Sequence, residues 1–381
     1  MKFSIVTSKG KLEDTSDYTL LEYRQKLLRV FLLTCVIFTI MITIFNAGEY
    51  IENPHSEWGA RNLLVDVTLL MVFLLLWWLN KKGFVALAGW ILGLLILAII
   101  PESYSITLIN QTFLILALPV VLSSFFIQPW ASFLFAAVVF TFYSLIYIQS
   151  SGAFEYDVFS LSVILILAVG AFQIARLLNK TIQDLVRAYD QTIQGWALAL
   201  ETRDSETMGH SQRVVDLTLQ LAKKYGIKDA DLVHIRRGVL VHDLGKMAIP
   251  DTILNKPGKL TEEEWQVMRR HPEYARQYLA GVSYLAPAID VPYCHHERWD
   301  GTGYPQGLKG EQIPLPARIF AVVDVWDALT SDRPYRKRWS EAESLAYIQE
   351  QAGKQFDPQV VRIFTDLIKG QKPSLNNETT E

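Results

Sequence analysis

Apolar residues dominate the first 178 positions, gathered into stretches with hardly a charge inside them. Six such stretches can be counted, near 30–46, 62–79, 84–100, 106–127, 130–149 and 158–178. Each approaches the ~20 residues a helix needs to cross a bilayer. A buried helix of a soluble bundle keeps a polar face, and the segments 30–45 and 69–79 have almost none. The pattern predicts six membrane-spanning helices.

Beyond 178 the pattern changes. Apolar or aromatic side chains at Leu178, Ile182, Leu185, Tyr189, Trp196 and Leu200 follow the alternating three-four spacing of a seam, with Thr192 taking one place in it. This predicts one connector helix. It either pairs with a second copy as a short parallel coiled coil, making the protein a homodimer, or packs back on its own domain. From 204 to about 370 the periodicity stays helical, without the alternation of a strand. The expected fold is therefore all-α. A cytoplasmic segment, 1–29, precedes a six-helix sensor or anchor region, 30–178. The connector, 179–203, then leads to a helical domain, 204–370, and a polar tail, 371–381.

A chain of 381 residues has room for two or three domains, and a net charge of −3 offers no basic field for nucleic acid. Cys35 and Cys294 are too few for a disulfide framework. Glu13, Asp14, Asp17 and Glu22 precede the first apolar stretch, which does not suit a cleavable signal peptide. Arg24, Lys26, Arg29, Lys81, Lys82, Arg176 and Lys180 fall on one set of flanks. Glu49, Glu52, Glu57, Glu102, Glu155 and Asp157 fall on the other, with Arg61 the one basic residue there. The positive-inside rule then makes this a multi-pass protein of the inner (cytoplasmic) membrane, with the N-terminus and everything after 178 in the cytoplasm. Six crossings, an even number, agree with that. Asp66, inside the second stretch, is either an intramembrane ligand or proton site or a group near enough the helix start to reach the interface.

Chemistry concentrates between Glu206 and Asp324. Of seven histidines, only His55 and His234 lie outside a set made of His210, His242, His271, His295 and His296. Neutral imidazole and carboxylate are the ligands of iron, manganese and zinc, so the set predicts a polynuclear metal site. Glu206 and His210, four apart, share a helix face as a chelating pair would. His242 and Asp243 are adjacent, and neighbours on a helix point about 100° apart. They meet one metal only where the helix bends, or else Asp243 bridges two. Asp324 and Asp327 share a face, so Asp327 can orient a ligand. The turn from Asp300 to Pro305 would present Tyr304 beside the histidine pair. Arg333 and Arg336, soon after Asp324, read as a phosphate clamp. Cys294 reads as a small core residue rather than a soft ligand.

Three segments carry a resemblance: HDLGK at 242–246, HHERWDGTGYP at 295–305 and DVWDALTSDRPYR at 324–336. In this order and spacing they resemble the HD-GYP family of cyclic dinucleotide phosphodiesterases, over roughly 195–370. The resemblance implies an all-α HD-superfamily hydrolase bundle acting on cyclic di-GMP. It implies His242, Asp243, His271, His295, His296 and Asp324 as metal ligands, Lys246 beside the scissile phosphate, and Tyr304, Arg333 and Arg336 around the substrate. Many members have an aromatic residue where this chain has Glu206, and those with glutamate resemble the ones that hold a third metal. Arg336 stands where some members have lysine.

The expected reaction is metal-dependent hydrolysis of the 3′-5′ phosphodiester bonds, to linear pGpG and on to GMP. Two bridged divalent ions, iron or manganese, would supply a hydroxide, with Asp243 and Lys246 as the catalytic side chains. Glu206 and His210 would add a third ion. Two alternatives stand beside this. One is a catalytically weak module that only binds cyclic dinucleotides, although no ligand is missing. The other is a phosphodiesterase for a different cyclic dinucleotide.

Overall fold

The computed structural model describes residues 15–52, 57–103, 106–149, 158–204, 209–332 and 337–370. Among them every regular element is helical, and the chain divides into two compact units, Met1–Arg187 and Ala188–Glu381. The first unit holds α1 (Thr15–Glu52), α2 (Glu57–Lys81), α3 (Val85–Ser103), α4 (Ile106–Phe126), α5 (Ala131–Gln149) and most of α6 (Val158–Arg203).

The expectation of six spanning helices is corrected here. Among the described residues only three helical segments are long and apolar enough to cross a membrane: Leu20–Gly48, Arg61–Lys81 and Leu161–Arg203. The other apolar segments, Val85–Leu97, Leu116–Phe126 and Ala131–Thr141, are shorter. At 1.5 Å per residue the longest of these covers about 20 Å, against a hydrocarbon core of about 30 Å. The argument from an even number of crossings goes with that expectation.

The helices of this unit bury apolar side chains against one another. Leu28, Leu32, Leu76, Val85, Leu92 and Phe126 form one cluster, and Leu116, Val120, Phe135, Val139 and Ile164 another. Gly93 lets α3 reach the Phe135 ring, where an added Cβ would lie 2.4 Å from Cζ. Asp66 is buried, and Asn46 Nδ2 donates to its Oδ2 at 2.6 Å.

The second unit contains the end of α6 and the bundle α7 (His210–Tyr225), α8 (Asp229–Leu240), α9 (Asp251–Leu254), α10 (Glu262–Met268), α11 (His271–Ala280), α12 (Asp290–Cys294), α13 (Leu315–Thr330), α14 (Glu341–Glu350) and α15 (Pro358–Gly370). Val214, Leu221, Val239, Phe320, Val322, Phe356 and Phe364 fill its core. Helix ends are set locally. Thr261 with Glu264 and Ser340 with Glu343 form capping boxes that satisfy the free N–H groups of α10 and α14. The start of α7 is capped from a distance, because Glu201 near the end of α6 accepts from Gly209 N at 3.2 Å and Ser211 N at 2.6 Å.

The connector part of α6 does pack back on its own domain. Ile193 and Ala197 belong to the bundle core. Asp190 is buried beside Arg237 and accepts from its Nε at 3.0 Å. Tyr284 Oη also donates to Asp190, at 3.1 Å. Leu185, Tyr189 and Trp196 are partly exposed, and the Tyr189 ring lies 4.9 Å from that of Tyr284.

Candidate metal centre

Five chain segments deliver the histidines and aspartates to one place. Helix α8 ends at Leu240, and the chain tightens into a 3-10 turn, Leu244–Ala248, so that His242 and Asp243 sit at the bend. The tightening depends on Gly245, where a Cβ would fall 1.8 Å from His271 O. That close approach sets the HDLGK turn directly on the first residue of α11, His271. Helix α12 is short and releases His295 and His296 at its C-terminus. His210 opens α7, and α13 carries Asp324 and Asp327.

The ligand atoms form two groups. Asp243, His271, His295 and His296 make one, and His210, His242 and Asp324 the other, with the atoms in each lying within 4.8 Å of one another. Asp243 connects them, because Oδ1 lies 3.3 Å from His271 Nε2 while Oδ2 lies 3.0 Å from His242 Nε2. The bend after α8 turns the two oxygens of Asp243 toward different imidazoles.

The second nitrogens of the rings decide what the first ones can do. His242 Nδ1 donates to Val239 O at 2.8 Å, His271 Nδ1 to Met268 O at 2.9 Å, and His295 Nδ1 to Val291 O and Pro292 O at 3.2 Å each. His210 Nδ1 donates to Asp327 Oδ2 at 2.8 Å. Each Nε2 is thereby left as a lone pair aimed inward, and orienting bonds of this kind are what metal-ligating imidazoles use. His271 Nε2 and His295 Nε2 face each other at 3.4 Å. Two such acceptors are reconciled by a cation between or beside them, so the residues fit divalent ions.

Burial pushes the His271, His295 and His296 imidazoles below their ordinary range, and their like neighbours add to this for His295 and His296. Neutral rings are the ligating form. Burial opposes ionisation of Asp243, but the His242 and Lys246 charges outweigh it and hold the carboxyl well below the usual range. Asp327 is held at about 2: burial raises it, but the hydrogen bonds from His210 and Arg213 prevail.

Lys246 Nζ lies 2.7 Å from Asp243 Oδ2 and 2.5 Å from Asp204 Oδ2. Tyr304 stacks on His296, with ring centroids 4.7 Å apart, which sets the GYP turn beside the ligand groups. Glu297 holds that turn, accepting from Gln306 N at 2.7 Å and Leu308 N at 2.9 Å. Gly303 is required by close approach, since a Cβ there would meet Arg298 N at 2.3 Å. Cys294 is buried, and burial pushes its thiol up to about 12.

His210, His242, Asp243, Lys246, His271, His295, His296, Tyr304 and Asp324 therefore converge, whereas Glu206, Arg333 and Arg336 lie outside the described residues. The spacing pairs His210 with Glu206, and the fold sets it with His242 and Asp324. Reasoning from sequence missed Asp204, Glu201 and Glu297. It also missed Arg213, which grips both oxygens of Asp327 at 2.7 and 2.9 Å. A charged residue one turn from a ligand is a weak signal for such roles.

Residues 197–360 match the family described as HD domain. The chain is 43% identical over 173 residues to the cyclic di-GMP phosphodiesterase response regulator RpfG of Xanthomonas campestris, covering 45% of this chain and 46% of that one. It is 49% identical over 170 residues to the cyclic di-GMP phosphodiesterase PA4108 of Pseudomonas aeruginosa, covering 44% and 41%. It is 37% identical over 185 residues to 3'3'-cGAMP-specific phosphodiesterase 2 of Vibrio cholerae, covering 48% and 35%. The chain spans less than half the length of each of these relatives. The bundle around the two ligand groups is thus an HD-type domain related to those of HD-GYP-like cyclic dinucleotide phosphodiesterases.

Proposed function

We propose that this protein is a membrane-anchored phosphodiesterase that hydrolyses cyclic di-GMP to linear pGpG and on to GMP. The observation that carries the reading is Asp243, whose two oxygens face two separate ligand groups. The names of relatives sharing 43% and 49% of aligned residues support the substrate class. His210, His242 and Asp324 would hold one divalent ion, and Asp243 with His271, His295 and His296 another. Iron or manganese suits these nitrogen and oxygen donors. Bound ions would lower the pKa of a water and polarise phosphoryl oxygens.

The chain's own groups do the rest. Lys246, fixed between Asp204 and Asp243, stands ready to stabilise or protonate the departing ribose oxygen. Tyr304 offers a ring and hydroxyl beside His296, and Arg333 and Arg336 bind phosphate. Glu206 adds a hard oxygen donor four residues before His210, for a third ion that favours the second cleavage. In this organisation residues 30–178 anchor or sense, 179–203 connect two copies, and 204–370 catalyse on the cytoplasmic side of the inner membrane. A second reading, 3'3'-cGAMP as substrate, is favoured by relatives of that name at 37% and 39% identity.

The test is to purify the full chain, quantify its metals, and follow both dinucleotides by chromatography. Cyclic di-GMP should be consumed and GMP accumulate, while Asp243→Ala loses both metal and turnover. Metal-replete protein that turns over neither dinucleotide would overturn the enzymatic reading. Glu206→Ala should drop one metal and leave linear dinucleotide. Unchanged metal content and product ratio would reduce Glu206 to a helix cap.

A further inference from the structure

Helix α10 buries none of its side chains. Local devices hold it instead: the Thr261–Glu264 capping box at its start, and Lys256 Nζ, which donates to both oxygens of Glu264 at 2.7 and 2.6 Å. The helix nevertheless carries Trp265, which is 42% exposed. A single exposed ring means little by itself. Its neighbours are what single it out. Arg269, four residues on and so on the same face, holds its guanidinium carbon 5.7 Å from the centroid of Trp265 and 6.0 Å from that of Tyr304. Tyr304 in turn stacks on His296 in the metal centre. The contacts run outward from the ligands: imidazole, phenol, guanidinium, indole.

Arg269 is not committed to the fold. Its ion pair with Glu262, at 3.6 Å, joins two side chains that are 48% and 66% exposed, and pairs of that kind contribute little. Both ring distances are near the outer limit of a cation–π contact and wider than the ~3.5–4 Å of packed atoms. The guanidinium is therefore available to a further flat partner.

We propose that Arg269 and Trp265 form the surface on which a purine base of the substrate stacks, positioning the dinucleotide at the ligand groups; this rests on the phosphodiesterase reading above. Every base has a π-face, and aromatic rings and arginine planes are the groups on which bases stack. A base hangs one ribose away from the phosphate to be cleaved, and this surface begins one ring away from His296. A phosphate suits the place less well, because Glu262 lies beside the guanidinium and the negative face of an indole repels an anion. Stacking tolerates any purine, so the surface serves cyclic di-GMP and 3'3'-cGAMP alike.

Equilibrium dialysis of the metal-loaded full chain in detergent, against GMP and against ribose 5-phosphate, measures what the base adds. It needs no turnover, so its failure is distinguishable from failure of the enzymatic reading. GMP should bind more tightly than ribose 5-phosphate. Arg269→Ala and Trp265→Ala should each lower the ratio of the two affinities by roughly tenfold, the scale of one lost stacking partner. Trp265→Phe should restore most of the ratio. Arg269→Lys, which keeps the charge but not the plane, should not. Arg270→Ala, at the neighbouring exposed arginine, is the control. In turnover of cyclic di-GMP the loss in the two alanine variants should appear in KM rather than in kcat. Metal content equal to that of the unaltered chain would report that each variant is folded. GMP binding no tighter than ribose 5-phosphate, an unchanged ratio in both alanine variants, an equal loss in Arg270→Ala, or full recovery in Arg269→Lys would each overturn the proposal.

Discussion

Replacing Gly245 by alanine should dismantle the metal centre while changing no ligand. The added Cβ would lie 1.8 Å from His271 O, 2.7 Å from His271 C and 2.7 Å from Ala275 N. All three are backbone atoms, so no side chain can swing away. Ordinary contact is about 3.5 Å, and the HDLGK turn would have to part from α11 by roughly 1.5 Å. Asp243 rides on that turn and His271 on α11, with 3.3 Å between their ligand atoms. Metal–ligand distances tolerate about 0.2 Å, so a shift of this size removes an ion. Overpacking a tight interior costs about 1–3 kcal/mol, and a backbone clash belongs at the upper end. Elemental analysis and a thermal melt of the purified chain give both readouts. Gly281→Ala is the control, since nothing lies within 4 Å of its Cβ position and its φ is −82°. A Gly245→Ala protein with wild-type metal content and melting temperature would refute the geometric argument.

Asp327→Asn should weaken metal binding by about 10- to 100-fold, measured by competition with a chelator, because it removes the anion that orients His210. Equal affinity would mean that His210 needs no such partner. Stripped of metal, the protein should lose stability as pH falls below about 6.5. Desolvation depresses the pKa values of His271, His295 and His296, so the unfolded chain takes up protons that the fold refuses. Their contribution is intact above that pH, and melts from pH 8 to pH 5 that show no decline would contradict the burial argument.

The bundle and its ligands were legible because their chemistry is local. Five histidines in an ordered set can be read from letters, and His242-Asp243 announces a bend because adjacent helical residues diverge. Asp327 as an orienting group was legible for the same reason, sitting one turn from Asp324. Asp204 and Glu201 were not, since their partners Lys246 and Ser211 are fixed by tertiary packing. In the apolar half the number of spans was misread. Hydropathy reports that a segment avoids water, but Phe135 achieves this by packing on Gly93 as well as it would in lipid.

One helix ties these halves of the argument together. The last turn of α6 holds the catalytic turn directly. Arg203 donates to Lys246 O at 2.9 Å and to Ile249 O at 2.7 Å, and Asp204 accepts from Lys246 Nζ. Between three and four turns upstream, Asp190 grips Arg237 on α8, whose end delivers His242 and Asp243. The HDLGK turn is therefore held on both sides by this helix. An axial shift or rotation of α6 cannot leave Lys246 where it is unless these bonds break. At about 1.5–3 kcal/mol for each charge-assisted bond, the end of α6 and the HDLGK turn hold each other in place.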